Sequence, residues 1–149
     1  MNKYQWKTFW KLNIPHKATE IWWRALVGKL STKARLHHIN PARYPSPLCS
    51  YCGDYEDDRH LIVLCKRKVQ FWRAAFYSLQ TQVIQGHDLW EILMFRKKVN
   101  TSIMVMIGKI LLIVWQHHWQ TSLEDLPWRT DHALKRLASS LQMEGYNKN

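Results

Sequence analysis

The sequence predicts a single all-α domain, in which a C-terminal helical extension packs on the part that precedes it. Apolar residues recur at three- and four-residue steps in most segments, which is the spacing of one face of an α-helix. No long stretch alternates apolar and polar residues as a half-buried strand would. With 149 residues, 46% of them hydrophobic, the chain has enough apolar material for one core.

Three helices are predicted before residue 48. They cover residues 3–12, residues 17–29 and a shorter segment around Leu36. Pro15 separates the first two helices, and Gly28 lies near the end of the second. Ser31 or Thr32 can cap the third helix.

Four further helices are predicted after residue 65. They cover residues 69–83, a short segment from Leu89 to Leu93, residues 102–120 and residues 131–143. Gly86 is expected to end the first of these helices, and Asp88 to cap the next. The segment 102–120 is the most apolar of the chain. We expect a buried helix there rather than a membrane span, because Lys109 leaves apolar pieces shorter than about 18 residues.

Nine tryptophans are many for this length, and most of them fall on predicted apolar faces. Those on apolar faces are Trp6, Trp10, Trp22, Trp72 and Trp115. Packing in the core is therefore favoured for these five over stacking on unpaired bases. The positions of Trp90, Trp119 and Trp128 favour neither role.

All three cysteines lie within one 17-residue segment together with a histidine. Cys49, Cys52, His60 and Cys65 are spaced Cys-x2-Cys-x7-His-x4-Cys, a spacing typical of a zinc site. Gly53 follows the first pair, where a tight turn favours a residue that can adopt positive φ. Four protein ligands leave no open position for water, so one structural Zn²⁺ ion and a zinc-stapled domain are predicted.

The alternative interpretation of this segment is a set of reduced, buried cysteines beside an ordinary histidine. A disulfide framework is disfavoured, because three cysteines leave one without a partner and no secretory signal precedes them. The compartment is therefore expected to be reducing, either nuclear or cytoplasmic.

The second ligand pair poses a geometric problem. Five residues of α-helix rotate the chain by about 500°, so the side chains of His60 and Cys65 would point roughly 140° apart. The pair can converge if the last turn tightens or if Cys65 lies just beyond the helix. Asp57 or Asp58 can cap this helix, and Glu56 can help to fix the loop.

The formal charge of +11 and the pI near 9.8 call for an anionic partner, with nucleic acid as the first candidate. Residues 1–48 hold nine Lys/Arg and one acid, whereas residues 49–65 hold one Lys/Arg and four acids. The predicted phosphate contacts are Lys29, Lys33, Arg35, Lys66, Arg67, Lys68 and Arg73, with Arg96, Lys97 and Lys98 less favoured. The alternative for all of them is a solvated surface.

Two motifs suggest catalysis but lack its context. Residues 55–58 spell Tyr-x-Asp-Asp, as in reverse-transcriptase palms, yet no strand pattern flanks them and no palm accompanies them. We expect a solvated acidic loop there. The pairs His37-His38 and His117-His118 have no carboxylate or cysteine at ligand spacing, so surface or half-buried histidines are expected.

Taken together, a string of spaced residues resembles the zinc-binding domain on the C-terminal side of reverse transcriptases in non-long-terminal-repeat (LINE-type) retrotransposons. It comprises Trp6, Phe9, Trp10, Ile14-Pro15-x-Lys17, Trp23-Arg24, Leu30-Ser31-Thr32, Arg35-Leu36, Cys49, Cys52-Gly53, Glu56, His60-Leu61, Cys65 and Trp72. The family usually has Pro where Ser31 stands. The resemblance covers about half of the chain and suggests a boundary between residues 1–72 and the helical extension 73–149.

The resemblance implies a non-catalytic module that accompanies the polymerase in target-primed reverse transcription and grips template RNA or target DNA. A rival function is protein–protein interaction, with the zinc site only holding helices that dock on a polymerase or on a second copy. Neither function requires a small-molecule substrate or a membrane, and an enzyme is the least favoured class. Whether the partner is RNA or DNA is left open.

Overall fold

The computed structural model describes residues 1–148, which form seven α-helices and one π-helical turn and contain no β-strand. The α-helices are α1 (Lys3–Trp10), α2 (His16–Leu26), α3 (Lys33–Ile39), α4 (Lys66–Ser78), α5 (Gly86–Leu93), α6 (Thr101–Leu123) and α7 (Thr130–Lys148), and the π-helix is His60–Leu64. The predicted all-α class is confirmed.

Local signals set the ends of the first three helices. The Asn2 side chain accepts a hydrogen bond of 2.8 Å from Gln5 N at the start of α1. Gly28 has a φ of 70° just after α2, which only glycine adopts readily. Of the two candidate caps for α3, Thr32 makes the contact, because its hydroxyl accepts from Arg35 N at 3.1 Å.

Two predicted boundaries around α4 and α5 are wrong. Helix α4 ends at Ser78, because Gln80 adopts a φ of 56° and Thr81 N donates back to Phe76 O at 3.1 Å. This is a Schellman ending without the glycine that usually marks it. Gly86 begins α5 instead of ending α4, and Asp88 lies in the first turn instead of at the cap.

Helix α6 is the centre of the core, as predicted for this apolar segment. Its buried residues include a glycine, Gly108, where a Cβ atom would lie 2.9 Å from the Ile14 side chain just before α2. The fully buried Trp22 of α2 packs at the same crossing and donates through Nε1 to Leu93 O at 2.8 Å. The helices before and after the zinc segment therefore contribute to one hydrophobic core.

Within residues 1–148, no helix combines the length and apolarity needed to cross a membrane.

The tryptophan prediction holds for the buried Trp22 and Trp72 and for the half-buried Trp6 and Trp115, which pack against the core. It fails for Trp10. Trp10 is 57% exposed because Phe9 occupies the buried position of α1 and the next residue points away from the core. Trp90 and Trp128, which had no predicted role, are also buried.

Candidate metal centre

The zinc segment begins with a tight turn between α3 and the π-helix. Cys49 N donates to Asp54 O at 2.7 Å, and Gly53 N donates to Cys49 O at 2.9 Å. Gly53 adopts a φ of 82°, as its position predicted. A single antiparallel bridge between Leu48 and Tyr55 closes the base of the turn. The turn thereby directs two cysteines toward the same point.

The four predicted ligands converge. Their ligand atoms all lie within 4.8 Å of one another. The sulfurs of Cys49 and Cys65 are 3.9 Å apart, and Cys52 Sγ is 3.2 Å from His60 Nε2. A tetrahedral zinc ion with Zn–S bonds of about 2.3 Å places two sulfurs about 3.8 Å apart, so the residues fit a Cys3His zinc site.

The π-helix allows the side chains of the second ligand pair, His60 and Cys65, to converge. Cys65 N donates to His60 O at 3.1 Å, the five-residue hydrogen bond that defines a π turn. A π turn holds more residues than an α turn, so five residues come closer to one full rotation and the two side chains can meet. Of the two predicted ways for the pair to converge, the position of Cys65 just beyond the helix is confirmed. A tighter last turn is not what the structure shows, because the turn is wider than an α turn.

The sulfurs of Cys49 and Cys65 differ in acidity. Hydrogen bonding from the Cys49 thiol lowers the pKa of Cys65 to about 7, and the nearby Lys68 ammonium contributes in the same direction. The same contact, together with burial, raises the pKa of Cys49. Zinc binds thiolates, so metal binding must release the protons that these cysteines still carry.

Two acids of the Tyr-x-Asp-Asp stretch have structural roles. Asp57 Oδ1 accepts from His60 N at 2.8 Å and so caps the turn that carries the histidine ligand. Glu56 is 2% exposed, and its carboxylate accepts from Lys33 N at 2.8 Å. Because Ala34 N also donates to Glu56 O at 3.1 Å, this residue ties the N-terminus of α3 to the zinc loop.

Replacing Glu56 with alanine should destabilise the fold by about 1–3 kcal/mol, because it leaves the half-buried Lys33 N–H of α3 without its acceptor. Glu56→Gln keeps an acceptor and should lose less. Urea unfolding at fixed zinc concentration measures both effects, with the exposed Asp54→Ala as the loop control. Equal stability of Glu56→Ala and the wild type would contradict the role of this carboxylate.

Lys68 was predicted to contact phosphate, and this prediction is wrong. Its side chain is 0% exposed and cannot reach a ligand at the surface. Its Nζ lies 2.7 Å from His118 Nδ1 and faces the rings of Tyr51 and Trp128 at 5.3 and 5.7 Å. Burial lowers the pKa of Lys68, while Glu56 and the cysteines oppose that shift.

A buried cation suits the charge of this site. With Zn²⁺ bound, three thiolates and one neutral imidazole would give the centre a charge of −1, which an ammonium at Lys68 would offset inside the protein. His118 is able to accept the hydrogen bond from Lys68, because burial holds the pKa of this imidazole well below its usual range and keeps it neutral. The faces of the two aromatic rings also favour the charged form of the lysine.

Tyr51 connects the zinc turn to α6. Its hydroxyl donates to His118 O at 2.9 Å and lies 2.6 Å from Thr121 Oγ1. Burial raises the pKa of Tyr51 to about 12. The residue between the first two ligands is therefore fixed to a helix 67 positions further along the chain.

The two histidine pairs differ. His37 is half-buried and His38 exposed, as predicted. His117 and His118 are both only 4% exposed, so the prediction of surface or half-buried side chains is wrong for this pair. Burial lowers the pKa of His117 to about 4, and its neutral ring accepts from Arg129 N at 3.2 Å. Both imidazole rings lie on the side of α6 that faces the core.

The other predicted phosphate contacts lie on α3, on α4 and, for Lys29, in the segment between α2 and α3. Lys29 and Arg35 are exposed and adjacent, because Arg35 Nη1 donates to Gly28 O at 3.0 Å. Lys33 is half-buried in the first turn of α3. On α4, Lys66, Arg67 and Arg73 are exposed, and Lys66 and Arg73 are two turns apart on one face.

The fold and the site define a zinc-stapled, all-α domain. Residues 1–72 match the family model described as zinc-binding in reverse transcriptase, and this segment includes all four ligands. This match confirms the resemblance to reverse-transcriptase zinc-binding domains for residues 1–72. No curated protein and no solved structure matches the chain.

Proposed function

We propose that this chain is a non-catalytic, zinc-dependent nucleic-acid-binding module that grips RNA or target DNA through basic helices. The observation that carries the proposal is the placement of exposed cations on the two helices next to the zinc loop. α3 begins where Glu56 anchors it, and α4 begins directly after the ligand Cys65. The metal site therefore sets the position of both basic segments.

The zinc loop itself is a poor candidate for the contact surface. Residues 54–58 contain four acids. The Asp57 side chain caps the π-helical turn, and the Glu56 side chain accepts a hydrogen bond from the first turn of α3. Phosphate contacts are expected from Lys29, Lys33, Arg35, Lys66, Arg67 and Arg73 instead. Such contacts give affinity without reading sequence.

Binding should weaken as salt rises, and the slope of log Kd against log salt should report the number of phosphate contacts. Each contact contributes about 0.9 to this slope on duplex DNA and about 0.7 on single strands. Neutralising both Lys66 and Arg67 with glutamine should flatten the slope by about 1.4–1.8. Fluorescence anisotropy with a labelled oligonucleotide measures it.

The control is Lys135→Gln, which removes one exposed cation from α7 outside the predicted contact set. Its salt slope should equal that of the wild type. A wild-type affinity that does not respond to salt would refute nucleic-acid binding through basic helices.

The alternative function is docking on a polymerase or on a second copy, and one observation favours it. A groove of about 290 Å³ lies between α4, α6 and α7 and is lined mostly by apolar side chains, with Ser102 and Lys109 among them. The apolar side chains include Leu79, Val105, Met106, Leu137 and Leu141. If docking were the only function, the chain would not bind nucleic acid at any salt concentration in the test above.

A further inference from the structure

Helix α1 presents two exposed aromatic side chains. Tyr4 is 80% exposed and Trp10 57% exposed, although both belong to a helix whose Phe9 is fully buried. Large aromatic side chains tend to be buried, so two exposed rings on one short helix need an explanation. Core packing does not account for them.

The surface between these two rings is basic. At about 100° per residue, an arc of about 120° on α1 and its C-cap contains, in this order, Trp10, Lys3, Lys7, Lys11 and Tyr4. All three lysines are exposed, and no acidic residue precedes Glu20 in the sequence. Among the ion pairs of residues 1–148, none involves these lysines. We call this arrangement the α1 face.

The α1 face is held rigidly. The capping box of Asn2 and Gln5 fixes its first turn, and Gln5 Nε2 donates to Phe95 O at 2.8 Å. The Trp10 ring stacks on the Trp6 ring, with centroids 6.2 Å apart and planes 20° apart. The Trp6 ring therefore restricts the orientation of the Trp10 indole, which remains 57% exposed. A fixed ring loses little conformational entropy when a ligand binds.

We propose that the α1 face binds unpaired nucleotides of single-stranded nucleic acid, with bases stacked on Trp10 and Tyr4 and phosphates near Lys3, Lys7 and Lys11. This inference rests on the proposed function and adds a surface that lies outside the basic helices next to the zinc loop. Exposed rings interleaved with cations are the means by which proteins hold single strands without reading their sequence. In a duplex the base faces are already stacked, so the rings would gain nothing there.

The test uses the full chain loaded with zinc and three ligands of equal length: a single-stranded RNA, the same RNA with abasic sites in place of its bases, and duplex RNA. Trp10→Ala and Tyr4→Ala should each weaken binding of the single strand by about 5- to 100-fold. The same variants should leave the salt slope and the affinity for abasic and duplex RNA unchanged. A single-stranded DNA of the same sequence shows whether the sugar matters.

Two variants control for folding and for exposure. Trp10→Phe keeps a ring and should retain most of the single-strand affinity. Tyr77→Ala removes a tyrosine of α4 that is also 80% exposed, and it should bind like the wild type. Thermal unfolding and zinc content establish that each variant is folded.

Failure of this inference is distinguishable from failure of the proposed function. If the wild type binds RNA in a salt-dependent manner but Trp10→Ala and Tyr4→Ala bind single strands equally well, the α1 face is not the stacking surface and the proposed function stands. An equal loss on abasic or duplex RNA would likewise overturn stacking. If the wild type binds no nucleic acid, both proposals are wrong.

Discussion

Removing zinc should abolish the cooperative unfolding transition of this chain. Structural zinc contributes about 10–16 kcal/mol in small zinc-dependent domains, whereas whole domains are stable by only about 5–15 kcal/mol. Here the four ligands hold the zinc turn, the π-helix and the start of α4 at one point. Without the metal, three cysteines and a histidine would have to keep this geometry through weak contacts alone.

The measurement is thermal unfolding by circular dichroism before and after chelation, with elemental analysis of the metal. We expect one equivalent of zinc in the wild type and none in Cys52→Ser, which should lack a sharp transition at all temperatures. Ser50→Ala, an exposed position in the same turn, should retain both the metal and the transition. A metal-free chain that still unfolds cooperatively at the wild-type temperature would refute the structural role.

Replacing Lys68 with methionine should weaken zinc binding by about 10- to 100-fold, the usual effect of losing a partner that surrounds metal ligands. Methionine preserves much of the volume, so the loss would come from the missing cation beside the thiolates and from the unpaired His118 Nδ1. Competition with a chromophoric chelator at neutral pH measures the affinity.

The matched control is Lys66→Met, which changes the net charge equally but removes an exposed lysine two residues away on α4. Its zinc affinity should match the wild type. The double variant Lys68→Met/His118→Leu removes both buried polar partners, so it should recover part of the stability lost in Lys68→Met. Unchanged zinc affinity in Lys68→Met would show that the buried ammonium does not stabilise the thiolate centre.

The sequence predicted best those features that depend on residues close together in the chain. The four ligands and the positive φ of Gly53 were predicted, and Thr32 was one of two predicted caps, because each rests on a pattern contained within one short segment. The widened turn at residues 60–64 was not predicted. A π-helix has no composition of its own, and only the requirement that His60 and Cys65 meet indicates it.

Features that depend on contacts between distant residues were not predicted from the sequence. Lys68 follows two exposed basic residues in the sequence, yet it is buried against His118, which lies 50 positions away. The sequence does contain a signal, since Lys68 lies three and four positions before Phe71 and Trp72, on the same face of α4, and His117-His118 interrupt an apolar helix. Polar residues in such places often have a buried partner.

The order in which contacts can form during synthesis follows from the connection between Tyr51 and α6. The metal ligands span only 16 positions from Cys49 to Cys65, whereas the hydroxyl of Tyr51 reaches residues 67 and 70 positions away. Closing a short loop costs less entropy than closing a long one. We therefore expect the growing chain to capture zinc before α6 has emerged, so that the later helix closes over a metal centre that is already formed.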